Sequence, residues 1–65
     1  MRANQDELKG MRRVVTYLRD RATRLNQAAD KCDPGEVKQA ARLKALGLIE
    51  AATMIENGIE REEKS

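Results

Sequence analysis

Hydrophobic residues in the first half of the chain repeat at alternating spacings of three and four residues. The repeat is unbroken and comprises Leu8, Met11, Val15, Leu18, Ala22, Leu25, Ala29 and Cys32. Such a heptad pattern predicts one continuous helix whose apolar stripe packs against other helices. Asn4 suits the N-cap, and Glu7 three residues later completes a capping box. Helix one is therefore expected to run from about residue 5 to residue 31.

The segment Asp33-Pro34-Gly35-Glu36 predicts the start of a second helix. Asp33 suits the N-cap, Pro34 suits the first helical position, and Glu36 occupies the third position of a capping box. A turn at residues 32–33 then precedes helix two, which is expected to begin at Pro34.

Asn57 and Gly58 predict the end of helix two, because glycine commonly follows the last helical residue. Helix two is therefore expected over about residues 34–57, followed by a polar tail at residues 58–65. Two helices of about 25 residues joined by a short turn fold back on each other. We predict an all-α fold, an antiparallel two-helix hairpin that forms a single domain over residues 1–65.

Helix two has more apolar residues than one stripe requires. Its inner positions are expected to be Val37, Ala41, Ala45, Leu48, Ala52, Ile55 and Ile59. A second stripe comprises Ala40, Leu43, Gly47, Ala51 and Met54, and Leu46 and Ile49 lie outside both stripes. Large uncovered apolar faces are usually interfaces. We expect the hairpin to dimerise with itself into a four-helix bundle, and we expect a protein partner to contact Leu46, Ile49, Leu43 and Met54.

Length and composition favour a protein that needs such a partner. A chain of 65 residues buries only about 60% of the surface exposed by its unfolded form. One cysteine and no histidine exclude an intramolecular disulfide and the usual zinc sites, so no metal or cofactor is expected. The unpaired thiol, the polar N-terminal residues and the lack of a long apolar run predict a cytoplasmic protein with no membrane association.

Basic residues are concentrated in helix one. Six of them lie between Lys9 and Arg24, opposed there by Asp20 alone. Helical spacing places four residues on one edge, namely Arg13, Tyr17, Arg21 and Arg24. Guanidinium groups pair with phosphate and an aromatic ring stacks on unpaired bases, so this edge is a candidate for contacts with nucleic acid or with an acidic protein. The alternative is a merely solvated face, and a net charge of +2 does not require nucleic acid.

In length and predicted architecture the chain resembles the Rop family of plasmid RNA-binding regulators. Those proteins are two-helix hairpins that dimerise into four-helix bundles and bind RNA along their first helices. The resemblance covers length and architecture and includes no matching residue motif. It implies an RNA- or DNA-binding homodimer that uses the basic edge of helix one.

No catalytic residues are predicted. The chain lacks histidine, and its only serine is Ser65, so a nucleophile oriented by a neighbouring base is not expected. We therefore expect no enzyme, but a small regulator or inhibitor that acts by stoichiometric binding to a protein, of the kind that phages and plasmids encode. The RNA- or DNA-binding homodimer is the alternative function.

Overall fold

Two α-helices packed side by side form the whole described structure, a computed structural model that covers residues 4–64. Helix α1 spans Gln5–Asp30 and helix α2 spans Glu36–Lys64. The hairpin is long and narrow, with extents of 48 × 14 × 12 Å. The predicted all-α hairpin is thus confirmed. In the part of the chain described, neither helix has the length and apolar character needed to cross a membrane.

Helix α1 begins where the capping pattern predicts. Asn4 has an extended backbone, and its side-chain oxygen accepts a hydrogen bond of 2.8 Å from the backbone N–H of Glu7. Asp6 and Glu7 in the first turn also suit the positive end of the helix dipole. At the other end, the N–H groups of Lys31 and Cys32 donate to carbonyls of the last turn. Helix α1 is therefore closed at both ends by local hydrogen bonds.

The connection between the helices is longer than predicted. Helix α2 begins at Glu36, so the prediction that Pro34 starts it and that Asp33 caps it was wrong. Gly35 has a φ of +157°, a conformation that residues with a side chain rarely adopt. Its carbonyl accepts a 3.1 Å hydrogen bond from the N–H of Gln39. Gly35 therefore immediately precedes the helix, in the place expected for Asp33, and residues 31–35 form the connection.

Helix α2 also continues past its predicted end. It passes through Asn57 and Gly58 to Lys64, so the polar tail predicted at residues 58–65 is helical wherever the structure describes it. Ile59 is only 4% exposed. Burying an isoleucine stabilises by about 1.5–3 kcal/mol, which exceeds the cost of about 1 kcal/mol for glycine inside a helix. Packing therefore outweighs the local stop signal.

The buried residues follow a strict seven-residue repeat on each helix. They are Leu8, Val15, Ala22 and Ala29 on α1, and Ala45, Ala52 and Ile59 on α2. We call these the buried stripes. Alanines fill the stripes near the turn, whereas Leu8, Val15 and Ile59 lie near the open end. Val37 was predicted to face inward but is 74% exposed, because the seven-residue repeat extended back from Ala45 falls on Lys38.

Ion pairs between the helices confirm that the chain directions are opposed. Arg12 pairs with Glu63 and Arg19 pairs with Glu56, so a step of seven residues up α1 matches a step of seven residues down α2. Near the turn, Arg42 pairs with Asp30 at 2.7 Å. These side chains are about half exposed, so each pair contributes about 0–1 kcal/mol. The pairs fix the orientation more than they hold the helices together.

Candidate interaction surfaces

One side of the hairpin carries apolar side chains that the chain itself covers only in part. We call it the half-buried face, and its residues are Met11, Leu18, Leu25, Cys32, Ala41, Leu48 and Ile55. Met11, Leu18 and Ile55 pack against the core from this side. Val14, which is 45% exposed, borders the face. The hairpin therefore presents an apolar surface formed by both helices.

The heptad spacing explains why this face lies opposite the ion pairs. On both helices, each half-buried apolar residue of this face lies three positions after a residue of the buried stripe or of its seven-residue repeat. The residues of the pairs Arg12–Glu63 and Arg19–Glu56 instead lie four positions after a residue of the buried stripe. In a helix these offsets fall on opposite flanks of the buried stripe. The residues of these two ion pairs lie along one flank of the helix pair, which we call the ion-paired edge. The half-buried face lies on the other flank.

A second apolar surface lies on α2 alone. Leu43, Leu46 and Ile49 follow one another at spacings of three residues and are 69%, 51% and 37% exposed. We call them the outer row. Met54, which is 72% exposed, is eleven residues from Leu43 and thus lies along the same line of the helix.

The outer row lies away from the half-buried face. Ile49 precedes the ion-paired Glu56 by one heptad, so the row starts at the ion-paired edge and continues around the outside of α2. The four residues predicted to contact a protein partner are therefore all at the surface of α2. Their binding role stays a prediction.

The basic edge of α1 also lies at the surface. Arg13, Tyr17, Arg21 and Arg24 are all exposed, Tyr17 by 60%. Arg24 pairs with Asp20 at 3.1 Å within α1. Within residues 4–64, Arg13 and Arg21 form no ion pair. Two guanidinium groups therefore flank the tyrosine, and no acidic side chain of the described residues is bound to them.

The structure divides the basic run of α1 into two groups that the sequence does not distinguish. Arg12 and Arg19 belong to the ion-paired edge, where Glu63 and Glu56 neutralise them. Arg13 and Arg21 lie on the exposed surface of the same helix. The relevant signal in the sequence is the match between two heptad-spaced arginines and two heptad-spaced glutamates. That signal becomes readable only once the register of the hairpin is known.

A shallow groove near the open end is a feature that sequence reasoning did not single out. Its lining comes from both helices and comprises Arg12, Val15, Thr16, Glu56, Ile59, Glu60 and Glu63. The Arg12–Glu63 ion pair crosses this region. The groove has an apolar floor from Val15 and Ile59 and a charged rim.

The described residues contain no group of three cysteine or carboxylate side chains arranged to hold a metal ion. Cys32 is half-buried, and its thiol donates a hydrogen bond of 3.3 Å to the carbonyl of Ala28. The thiol thus has a local structural partner in the last turn of α1.

Comparison with known proteins returns no match to a family model, to a curated protein or to a solved structure. The surfaces described above are therefore the basis on which function is assigned.

Proposed function

We propose that this chain is a small non-enzymatic regulator or inhibitor that acts by stoichiometric binding to a protein. In this proposal the half-buried face joins two copies into a four-helix bundle. The outer row and Met54 then form the contact with the protein partner.

The observation that carries the proposal is the separation of the two apolar surfaces. A dimer formed through the half-buried face would cover Leu18, Leu48 and Ile55 and leave the outer row open. Leu43 and Leu46 would remain more than half exposed, on the outside of α2. Helix faces with apolar residues three or four positions apart are a common mode of protein recognition. Two such rows would be available on each dimer.

The outer row can be tested by a double substitution, Leu46→Gln with Ile49→Gln. Because both side chains are exposed, the variant should keep the helicity and melting temperature of the natural protein. It should no longer bind the proteins that the natural chain captures from the cells that produce it. Isothermal titration with each captured protein then measures stoichiometry and the reduction in affinity.

Val37→Gln is the control, since Val37 is an exposed apolar residue of α2, 74% exposed, that lies outside the outer row. It should retain the same captured proteins. A large fall in melting temperature for the double variant would show that the outer row belongs to the core. Unchanged capture by that variant would refute the proposed contact.

A second function, binding of RNA or DNA by the homodimer, is favoured by one observation. Tyr17 is exposed between Arg13 and Arg21, and neither arginine is neutralised by a described residue. Exposed guanidinium groups beside an aromatic ring suit phosphates and unpaired bases.

Gel-shift titration with structured RNA and duplex DNA at physiological salt tests this alternative. Arg21→Gln should weaken binding and reduce the salt slope by about one unit for each phosphate that the protein no longer neutralises. Arg42→Gln removes the same charge from α2 and should have little effect. Even non-specific binding gives dissociation constants of about 10⁻⁴ to 10⁻⁶ M, so no retardation in that range would exclude nucleic acid.

A further inference from the structure

The half-buried face fits a second copy of this chain in one particular orientation. Two copies related by a two-fold axis can pack these faces with their turns at the same end or at opposite ends. We infer that the turns lie at opposite ends of the four-helix bundle. This inference rests on the proposed homodimer and adds its arrangement, which follows from residue size and charge along the hairpin.

With the turns at opposite ends, each helix packs antiparallel against its own copy. The heptad positions of α2 span residues 38–62 and are centred on residue 50, which is also the midpoint of Glu36–Lys64. Those of α1 span residues 8–32 and are centred on residue 20.

The two centres lie at nearly the same height along the hairpin. Asp30 lies ten residues from the centre of α1, and Arg42 lies eight residues from the centre of α2, both toward the turn. Because Asp30 and Arg42 form an ion pair, they are at similar heights, and so are the two centres. One two-fold axis therefore passes near the middle of both helices. Each residue on one side of the centre then faces a residue at the same distance on the other side.

Side-chain size favours this arrangement. Ala29 and Ala41 directly precede the ion-paired Asp30 and Arg42 and form a small layer near the turn. Near the open end, Met11 packs against the cluster that contains Ile59, so the corresponding layer is large. Turns at opposite ends place two alanines against one methionine and one isoleucine in each layer. Turns at the same end would place four alanines together and four large residues together, giving a void and an overpacked layer, which both destabilise.

Charge favours the same arrangement independently. Lys38 lies seven residues before Ala45 and so continues the repeat of the buried stripe of α2. Glu62 lies seven residues after Ile55 and so continues the repeat of the half-buried face. Both side chains are half-buried. Within residues 4–64 of one chain, Lys38 has no ion pair. Each residue is twelve positions from residue 50, so opposite ends place Lys38 of each chain beside Glu62 of its copy. Turns at the same end would instead place both copies of Lys38 at one end of the bundle and both copies of Glu62 at the other, so that like charges share an end, which disfavours association.

The arrangement gives the bundle two different sides. The two copies of α1 lie next to each other, so both basic edges and both Tyr17 rings share one side. The two copies of α2 lie next to each other on the other side, with both outer rows facing outward. A protein partner and a polyanion would therefore meet separate surfaces of the same dimer.

A distance measurement distinguishes the two arrangements directly. A spin label is attached to Asp33→Cys in a Cys32→Ala background, and pulsed electron paramagnetic resonance measures the separation within the dimer. The hairpin is 48 Å long, so turns at opposite ends give a separation of about 40 Å. A separation below about 20 Å, as expected for adjacent helices at one end, would overturn the inference. Sedimentation equilibrium of the natural chain distinguishes a wrong arrangement from a wrong dimer. A dimer with a short distance would refute only the arrangement, whereas a monomer would refute the proposed homodimer itself.

Charge substitution gives a second test that leaves the apolar stripe intact. Lys38→Glu should weaken dimerisation by about tenfold, because two attractive pairs become repulsive. Adding Glu62→Lys to the same chain should restore the natural affinity. Lys44→Glu makes the same charge change on α2 away from position 38 and is the control. If Lys38→Glu leaves the affinity unchanged, or if the double variant fails to recover it, the inference is wrong.

Discussion

The alanines of the buried stripes allow the helix axes to approach closely, and enlarging one of them should be costly. Ala45 is 1% exposed, and its side chain points at α1. Ala45→Leu adds three carbon atoms where no solvent-filled space is left. Ala40→Leu makes the same change on the same helix at an exposed position. The pair of variants therefore isolates the effect of packing from that of helix propensity.

The expected magnitudes differ clearly. Overpacking of this kind costs about 1–3 kcal/mol, whereas alanine and leucine differ in helix propensity by only a few tenths of a kcal/mol, roughly. A chain of 65 residues has a total unfolding free energy of about 3–10 kcal/mol. Ala45→Leu should thus remove a large part of the stability. The melting temperature should fall by roughly 5–20 °C, because small domains lose about 4–8 °C for each kcal/mol.

Circular dichroism at 222 nm against temperature measures both variants. The protomer concentration must be the same in every sample, because the melting temperature of an oligomer depends on concentration. Equal shifts for Ala45→Leu and Ala40→Leu would refute the reasoning. They would mean that α1 and α2 are not held close together at Ala45.

Two further predictions concern backbone freedom and surface charge. Gly47→Ala should stabilise by about 1 kcal/mol, since a Cβ there meets no atom within 4 Å and α2 gains helix propensity. Gly35→Ala should destabilise by about 1–3 kcal/mol, since the φ of +157° is unfavourable for alanine. Urea unfolding measures the change in the free energy of unfolding for both variants. A change of the same sign in the two variants would contradict the argument. A double-mutant cycle with Arg12→Gln and Glu63→Gln should give a coupling of about 0–1 kcal/mol that falls in high salt, because both side chains are nearly half exposed. A coupling that is larger and insensitive to salt would show that the pair is shielded from solvent.

The sequence was sufficient to predict α1 and the hairpin. The stripe from Leu8 to Cys32 has a single interpretation, and Asn4 caps the helix as its chemistry suggests. Predictions failed where a local signal competed with tertiary packing. Gly58 is a stop signal, but burial of Ile59 outweighs it, and the sequence alone does not show which residues will be buried.

The candidate surfaces were only partly predictable. Exposure of Leu46 and Ile49 followed from their position outside both apolar stripes, whereas Leu43 belongs to the second stripe and is nevertheless 69% exposed. The assignment of Val37 to the core failed because the buried repeat of α2 extends back from Ala45 to Lys38, one residue away from Val37. The division of the basic run between Arg12 and Arg13 depends on which glutamates lie across the hairpin. The register between α1 and α2 determines those pairings, and the spacing of residues within one helix does not reveal it.

The gradient in size along the buried stripes has a consequence for the order of assembly. Closing the turn brings together segments that are near in sequence, but the buried side chains nearest to the turn, Ala22, Ala29 and Ala45, are all small. The larger apolar groups, Leu8 and Ile59, are about fifty residues apart in sequence, and their contact forms only when the far ends of the helices meet. A hairpin closed only at its turn is therefore poorly stabilised. During synthesis the chain cannot hold its two helices together until Ile59 has emerged from the ribosome.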